Sequence, residues 1–172
     1  LREQAGRHSD PSAGILDSQS VKTAEGGAAR GYDAGKKVTG RKRHVVVDTL
    51  GLLLLLFVSS AAVDDAVAAP EVLQHLGTKS YPRLEVVWAD NKYHNQALYD
   101  WIATASAGHW RLEVVRRPAE SQGFVWLPRR WVVERTFAWL GRCRRNSKDY
   151  ERRTDSSEAM LRSAALRVGL AE

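Results

Sequence analysis

The chain has 172 residues, 44% of them hydrophobic and 27% charged, a composition that favours one globular domain and excludes disorder as the default. Its single cysteine, Cys143, excludes an internal disulfide framework, and its longest apolar run, residues 52–58, is too short for a membrane helix of roughly 20 residues. The net charge is +6, and residues 116–167 carry the whole excess, with thirteen Lys or Arg against six Asp or Glu.

The N-terminal half is predicted to consist mainly of strands. Residues 1–14 are polar, which predicts a linker or the remnant of an absent N-terminal region. Residues 15–22 predict a short strand, and the Gly-rich residues 24–37 predict a flexible loop. Two apolar runs flank residues 48–51, a pattern that predicts a β-hairpin.

The C-terminal half is predicted to alternate between helices and strands. Asp64 or Asp65 is expected to cap a helix that Pro70 breaks or kinks, and residues 117–128 are predicted to be a loop. The other predicted elements are strands at residues 84–88 and 109–116 and helices at residues 95–105, 129–145 and 154–170, the last capped by Thr154 or Asp155. This order predicts an α/β fold with a mixed sheet flanked by helices, which is the element order of the RNase H-like fold.

Three acids stand where a metal-dependent phosphoryl transfer would need them. Asp17 follows two apolar strand residues, Asp90 ends an apolar strand, and Glu134 lies within an apolar helical stretch. Phosphoryl transfer on DNA is served by two metals about 3.5–4 Å apart, and Mg²⁺ prefers carboxylate oxygens. Each acid also has a structural alternative: Asp17 starting a turn, Asp90 capping the next helix, and Glu134 pairing with Arg130.

The other acids have structural interpretations that we prefer. Asp48 fits the hairpin turn, and Asp100 fits the solvent-facing side of a helix. Asp149 and Glu151 lie in a charged stretch, where we expect them to pair with Arg152 and Arg153.

Several basic side chains are candidates for contact with nucleic acid. A clustered basic surface is typical of proteins that bind a phosphate backbone, although a merely solvated face is the alternative. Residues 41–43 are predicted phosphate contacts, or else a basic strand edge that resists aggregation. On the helix after residue 129, Trp131, Arg135, Trp139 and Arg142 share one face, which would lie along DNA unless the tryptophans belong to the core.

Several motifs in this order resemble bacterial insertion-sequence transposases of the DDE class. The resemblance runs from about residue 15 to residue 168 and is highly specific. The matching stretches are residues 16–22 (LDSQSVK), 35–44 (GKKVTGRKRH), 88–93 (WADNKY), 130–140 (RWVVERTFAWL) and 144–152 (RRNSKDYER).

The resemblance implies an RNase H-like catalytic domain over residues 15–172, in which Asp17, Asp90 and Glu134 are the catalytic acids. They would hold two divalent metal ions, Mg²⁺ or Mn²⁺. The implied activity is cleavage and strand transfer of an insertion sequence, with the element ends and the target DNA as partners and a homodimer on DNA. A cytoplasmic location, on the nucleoid when DNA is bound, and no membrane partner would follow. The alternatives are an inactive DNA-binding remnant and a related nuclease.

The implied DNA contacts are basic side chains on two stretches of the chain, with Arg130 also able to orient Glu134. They are Arg41, Lys42, Arg43, Arg130, Arg135, Arg142 and Lys148. The sequence departs from the family pattern at two positions, since Leu127 stands where a Tyr is usual and Gly141 where a Lys is usual. Arg142 or Lys148 would then supply the cation, and the family's N-terminal DNA-recognition region is expected to be absent.

Overall fold

The computed structural model describes residues 1–24, 27–76, 80–116 and 130–169. Six strands and four α-helices lie in these residues. The strands are β1 Ala13–Lys22, β2 Gly31–Asp33, β3 Val38–Asp48, β4 Leu53–Ser60, β5 Val86–Ala89 and β6 Arg111–Val114. The helices are α1 Asp65–Leu73, α2 Gln96–Ala105, α3 Trp131–Arg142 and α4 Thr154–Arg167.

All six strands belong to one mixed sheet. The central path runs β2–β3–β1–β5–β6, and β4 pairs with the part of β3 that follows its pairing with β2. β1, β2, β3 and β4 pair antiparallel, whereas β1–β5 and β5–β6 pair parallel. The combination of antiparallel hairpins and parallel crossovers confirms the predicted α/β class and is compatible with an RNase H-like fold.

Helices cover both faces of the sheet because successive strand residues point to opposite sides. Leu16 of β1 packs in a cluster with residues of α1 and α2. Its neighbour Ile15 packs on the other face in a cluster with residues of α3 and α4. α3 and α4 therefore lie on the face that also receives Asp17, two residues after Ile15.

The hairpin is confirmed, and its turn depends on one carboxylate. The Asp48 carboxylate accepts hydrogen bonds from the backbone N–H groups of Leu50 and Leu52, both at 2.8 Å. Arg2 pairs with the same buried carboxylate and so ties the residues before β1 to the sheet. No helix among the described residues has both the length and the apolar character that crossing a membrane requires.

Three local predictions were wrong in whole or in part. Residues 24–37 contain the short strand β2, which pairs with the start of β3. Helix α1 continues through Pro70 to Leu73, so that proline does not break it. Neither Thr154 nor Asp155 caps α4, because both lie inside the helix and the residue before it is Arg153, which makes no side-chain cap. The Asp155 carboxylate accepts hydrogen bonds from Arg153 and from the Ser156 backbone N–H instead.

Candidate functional site

Asp17 and Asp90 are brought side by side by the pairing of β1 with β5. The parallel register joins Ala13 to Val86 and Ile15 to Trp88, an offset of 73 positions. The same offset separates Asp17 from Asp90. Continuing the register past the end of β5 therefore places the two acids next to each other at the carboxyl end of that strand.

One guanidinium lies between the two carboxylates. Arg130, the residue before α3, approaches Asp17 to 3.4 Å and Asp90 to 3.7 Å. The three side chains are 15–17% exposed. The Arg130 Nε is buried without a hydrogen-bond partner among the described residues. With both carboxylates ionised, two negative charges share one positive charge. The site therefore carries a net negative charge.

The electrostatics of the pair disfavour the charged form of at least one acid. Burial raises the pKa of Asp17, and the neighbouring charge of Asp90 raises it further. A hydrogen bond from the Ser18 backbone N–H, at 2.7 Å, and the charge of Arg130 oppose this shift. An additional cation beside these carboxylates would therefore stabilise their charged forms.

A second charged layer lies behind the pair, and sequence reasoning missed it. Asp64 alone caps α1 by accepting from the Ala66 N–H, whereas Asp65 is buried. The Asp65 carboxylate accepts a 2.6 Å hydrogen bond from the Ser18 hydroxyl and lies 3.2 Å from Lys42. The signal in the sequence was two consecutive acids of which only one could serve as the cap.

Tyr93 completes this layer. Its side chain is fully buried, and its hydroxyl lies near the Ser18 hydroxyl. Burial raises the pKa of Tyr93 well above its ordinary value, and the charges of Asp17, Asp65 and Asp90 add to the shift. Tyr93 therefore stays protonated and presents a neutral hydroxyl near three acids.

Glu134 is exposed, which corrects its interpretation as an acid buried among apolar helix residues. It lies in the first turn of α3, where a negative charge is favoured by the helix dipole. It does not pair with Arg130, which contacts the aspartates instead. Glu134 nevertheless stands one helical turn beyond Arg130, on the same side of α3.

The fit of these residues to a metal ion is partial. Asp17 and Asp90 provide the hard oxygen atoms that Mg²⁺ prefers, and a positive group already stands between them. Within the part of the chain that the structure describes, however, no three His, Cys, Asp or Glu side chains are close enough to hold a metal. The two aspartates are suitable metal ligands, but the Glu134 carboxylate does not lie close enough to them to form a three-ligand site.

Residues 41–43 are buried in the interior, which corrects their prediction as phosphate contacts. Arg41 is 0% exposed, lies 3.2 Å from Asp149 and donates hydrogen bonds to backbone carbonyls, including that of Ala28. Lys42 donates to the Val63 carbonyl, and Arg43 to that of Asn146. Because all three side chains are buried and donate to backbone carbonyls of the protein, they are not available to DNA.

The predicted pairing of the charged stretch was also wrong. Asp149 is buried and accepts a hydrogen bond from Ser157 at 2.7 Å in addition to its contact with Arg41. Glu151 pairs with Arg145 at 2.7 Å instead of with Arg152 or Arg153. The stretch is therefore held to the sheet by Asp149 and Arg41.

Most side chains on the aromatic and basic face of α3 pack against one another. The Arg135 guanidinium lies 4.4 Å from the Trp131 ring centre and 4.8 Å from that of Trp139, and donates to the Leu50 carbonyl at 2.7 Å. Both tryptophans are partly buried against core clusters, which favours the core interpretation. Arg142 is exposed.

The two departures from the family pattern differ in what surrounds them. Leu127 lies outside the described residues, whereas Gly141 is exposed on α3. Arg142 and Lys148 are both exposed, and neither forms an ion pair within the described ranges. They remain available to bind an anion near the end of α3.

Comparison with known proteins gives the same family as the motifs. The pattern of the transposase DDE domain matches residues 8–168. A putative transposase for insertion sequence element IS402 from Burkholderia cepacia is 33% identical over 133 residues, which is 72% of this chain. The chain spans 59% of the length of that relative. On this match and this identity, the chain belongs to the transposase DDE domain family.

Proposed function

We propose that this chain is the catalytic part of an insertion-sequence transposase that cuts DNA and joins the cut strand to a target. The observation that carries the proposal is the Asp17–Asp90 pair with Arg130 between the two carboxylates. Family membership supplies the reaction class. The DNA-cutting domain is proposed to include residues 15–172.

Asp17, Asp90 and Glu134 are the residues that would hold two Mg²⁺ or Mn²⁺ ions. Bound there, the metals would neutralise charge on the phosphate and lower the pKa of an attacking water. We propose that Glu134 joins this set by a change of side-chain position. Its side chain is exposed and so can move, and it lies one helical turn beyond Arg130. We infer that Arg130 keeps the two aspartates together and is free to contact a DNA phosphate once they bind another cation.

The surface beyond the acids is proposed to hold the DNA backbone. Arg142 and Lys148 are the exposed cations that remain among the basic residues predicted from the sequence, and each would contact a phosphate. Two copies of the chain are proposed to pair on DNA, because two element ends must be brought together. The reaction is proposed to occur in the cytoplasm, where its DNA substrate lies.

The direct test is nicking of supercoiled plasmid with Mg²⁺ or Mn²⁺. We expect the wild type to nick, and Asp17→Asn, Asp90→Asn and Glu134→Gln each to lower the rate by at least about 100-fold while staying folded. Asp100→Asn is the matched control, because Asp100 is an exposed acid whose carboxylate accepts a hydrogen bond from Gln96 on its own helix.

The outcomes separate the acids from one another. Loss in both aspartate variants with full activity in Glu134→Gln would remove Glu134 from the site and keep the pair. Nicking that survives in Asp17→Asn would refute the site itself. Metal-independent nicking at the same rate would refute the proposed chemistry.

A further inference from the structure

A cavity of about 470 Å³ lies at the far end of α3, outside the acid site. Three arginines and one tyrosine line it: Arg144, Arg145, Tyr150 and Arg167. Its volume lies within the range of about 300–1,000 Å³ typical of small-molecule sites. The four residues come from the segment after α3 and from the last turn of α4, so the fold assembles the cavity from two parts of the chain.

The cavity carries uncompensated positive charge. Arg145 is the lining arginine with an acid partner, since it pairs with Glu151 at 2.7 Å. Arg144 has no ion pair within the described ranges, and the Arg167 guanidinium donates to the buried Cys143 sulfur at 3.3 Å. Neither of these two guanidinium groups is paired with an acid within the described ranges, so both have positive charge to offer an anion, and guanidinium geometry suits a phosphate.

An aromatic ring adjoins these charges. Tyr150 is 42% exposed although its side chain is large and mostly apolar. The Arg145 guanidinium lies 5.5 Å from its ring centre, and the Tyr150 hydroxyl is 3.5 Å from that of Ser147. The ring thus contacts Arg145 and remains partly open to solvent, as a stacking platform for a base requires.

Helix α3 links this cavity to the acid site. It begins directly after Arg130, which contacts Asp17 and Asp90, and it ends at Arg142, two residues before Arg144. A rise of about 1.5 Å per residue gives roughly 18 Å between Arg130 and Arg142. One DNA strand of a few nucleotides spans that distance.

We propose that the cavity binds one unpaired nucleotide of DNA, with its phosphate on Arg144 and Arg167 and its base against Tyr150. The inference rests on the proposed function, because it assigns a second contact for the strand that the acid site would cut.

The test is binding of a fluorescent single-stranded oligonucleotide and its duplex form, by anisotropy, in EDTA and at several salt concentrations. The charge variant is Arg144→Ala with Arg167→Ala. Its matched control is Arg111→Ala with Arg153→Ala, which removes the same charge from exposed side chains elsewhere. Tyr150→Ala and Tyr150→Phe test the ring, and circular dichroism confirms that each variant folds.

We expect the charge variant to bind single strands about tenfold more weakly. Its plot of log affinity against log salt concentration should be shallower by roughly 0.7 for each phosphate that the variant no longer neutralises. The control should bind within about twofold of wild type. Tyr150→Ala should weaken single-strand binding by about 5- to 100-fold, and duplex binding less, whereas Tyr150→Phe keeps the ring and the affinity.

Three results would overturn the inference. They are an equal weakening of binding in the charge variant and its control, an equal effect of Tyr150→Ala on duplex and single strand, and no DNA binding by the wild type. Because binding is measured in EDTA, the result is independent of nicking. If the cavity variants weaken DNA binding but the wild type does not nick, the inference stands and the proposed function is refuted. If the wild type nicks but the cavity variants bind DNA as the wild type does, the proposed function stands and the inference is refuted.

Discussion

Two charged clusters on the same sheet differ in how completely they are neutralised. Around Arg41, one buried guanidinium meets one buried carboxylate, Asp149, and several backbone carbonyls. Around Arg130, one guanidinium is divided between two carboxylates, Asp17 and Asp90, at longer distances. The first cluster satisfies its charges internally, and the second leaves negative charge without a full partner.

This difference distinguishes charged residues that stabilise the fold from charged residues that are available to bind a ligand. A buried pair with all donors satisfied fixes one arrangement of the chain, and breaking it is costly. A partly exposed cluster that is short of positive charge costs stability in the free protein but is stabilised by binding a cation. The Arg41 cluster is therefore expected to determine stability, and the acid pair to determine activity.

The largest stability effect is expected at Arg41. Arg41→Met should lower the free energy of unfolding by about 3–5 kcal/mol, because it leaves Asp149 and several carbonyls buried without their partner. Urea denaturation measures the change. Arg153→Ala is the control, since its pair with Asp155 is exposed and should contribute nothing measurable. A decrease at Arg41 no larger than that of the control would contradict a structural role.

His44, which lies on β3 near the charges of Asp65 and Lys42, should make stability depend on pH. Burial lowers its pKa to about 4, and its Nε2 is hydrogen-bonded to the Ser59 hydroxyl at 2.8 Å. The unfolded chain takes up this proton near pH 6.5, so stability is full above that pH and is lost as the pH falls to about 4. The loss should reach about 3 kcal/mol, at about 1.4 kcal/mol per unit. An NMR titration of His44 that gave a pKa near 6.5 would contradict this.

The acid pair should respond with the opposite sign to the same substitution. Asp17→Asn should raise the free energy of unfolding by up to about 1 kcal/mol in metal-free buffer, because burial opposes the charge of this carboxyl. Asp149→Asn should lower it, because Arg41 then has no acid partner. Urea denaturation at pH 7 compares the two variants.

The effect at Asp17 should also depend on pH. Since the folded pKa of Asp17 is raised, its charge costs stability above that pKa, and the cost vanishes as the pH falls toward 3.8. The stabilisation by Asp17→Asn should therefore shrink on acidification. A constant stabilisation, or a destabilisation at pH 7, would show that Arg130 outweighs burial at this position.

Apolar patterns in the sequence predicted most of the fold, whereas they indicated the site residues only one by one. Two apolar runs around a turn predicted the hairpin, and the apolar residues before Asp17 predicted β1. The placement of Asp17 beside Asp90 depends on the register of β1 against β5, which pairs residues 73 positions apart and so could not be derived from local patterns. Strand β2 was missed because its Gly-rich stretch has no apolar pattern and pairs through only three residues.

The wrong predictions concern contacts that are distant in sequence or the direction of a side chain. Arg41 reaches the Glu151 carbonyl 110 residues away, which a local basic run cannot indicate. Glu134 has apolar neighbours in sequence, but adjacent helical residues point in different directions, so it is exposed. Whether a charged side chain is buried or exposed is therefore the property that the sequence predicted least well.

The most direct test of the central claim is Mn²⁺ binding to the protein without DNA, measured by electron paramagnetic resonance. The account predicts that wild type and Asp100→Asn bind Mn²⁺, and that Asp17→Asn and Asp90→Asn each lose most of this binding. Equal binding by all four proteins would contradict the assignment of Asp17 and Asp90 as the cation site, and so would a wild type that binds none.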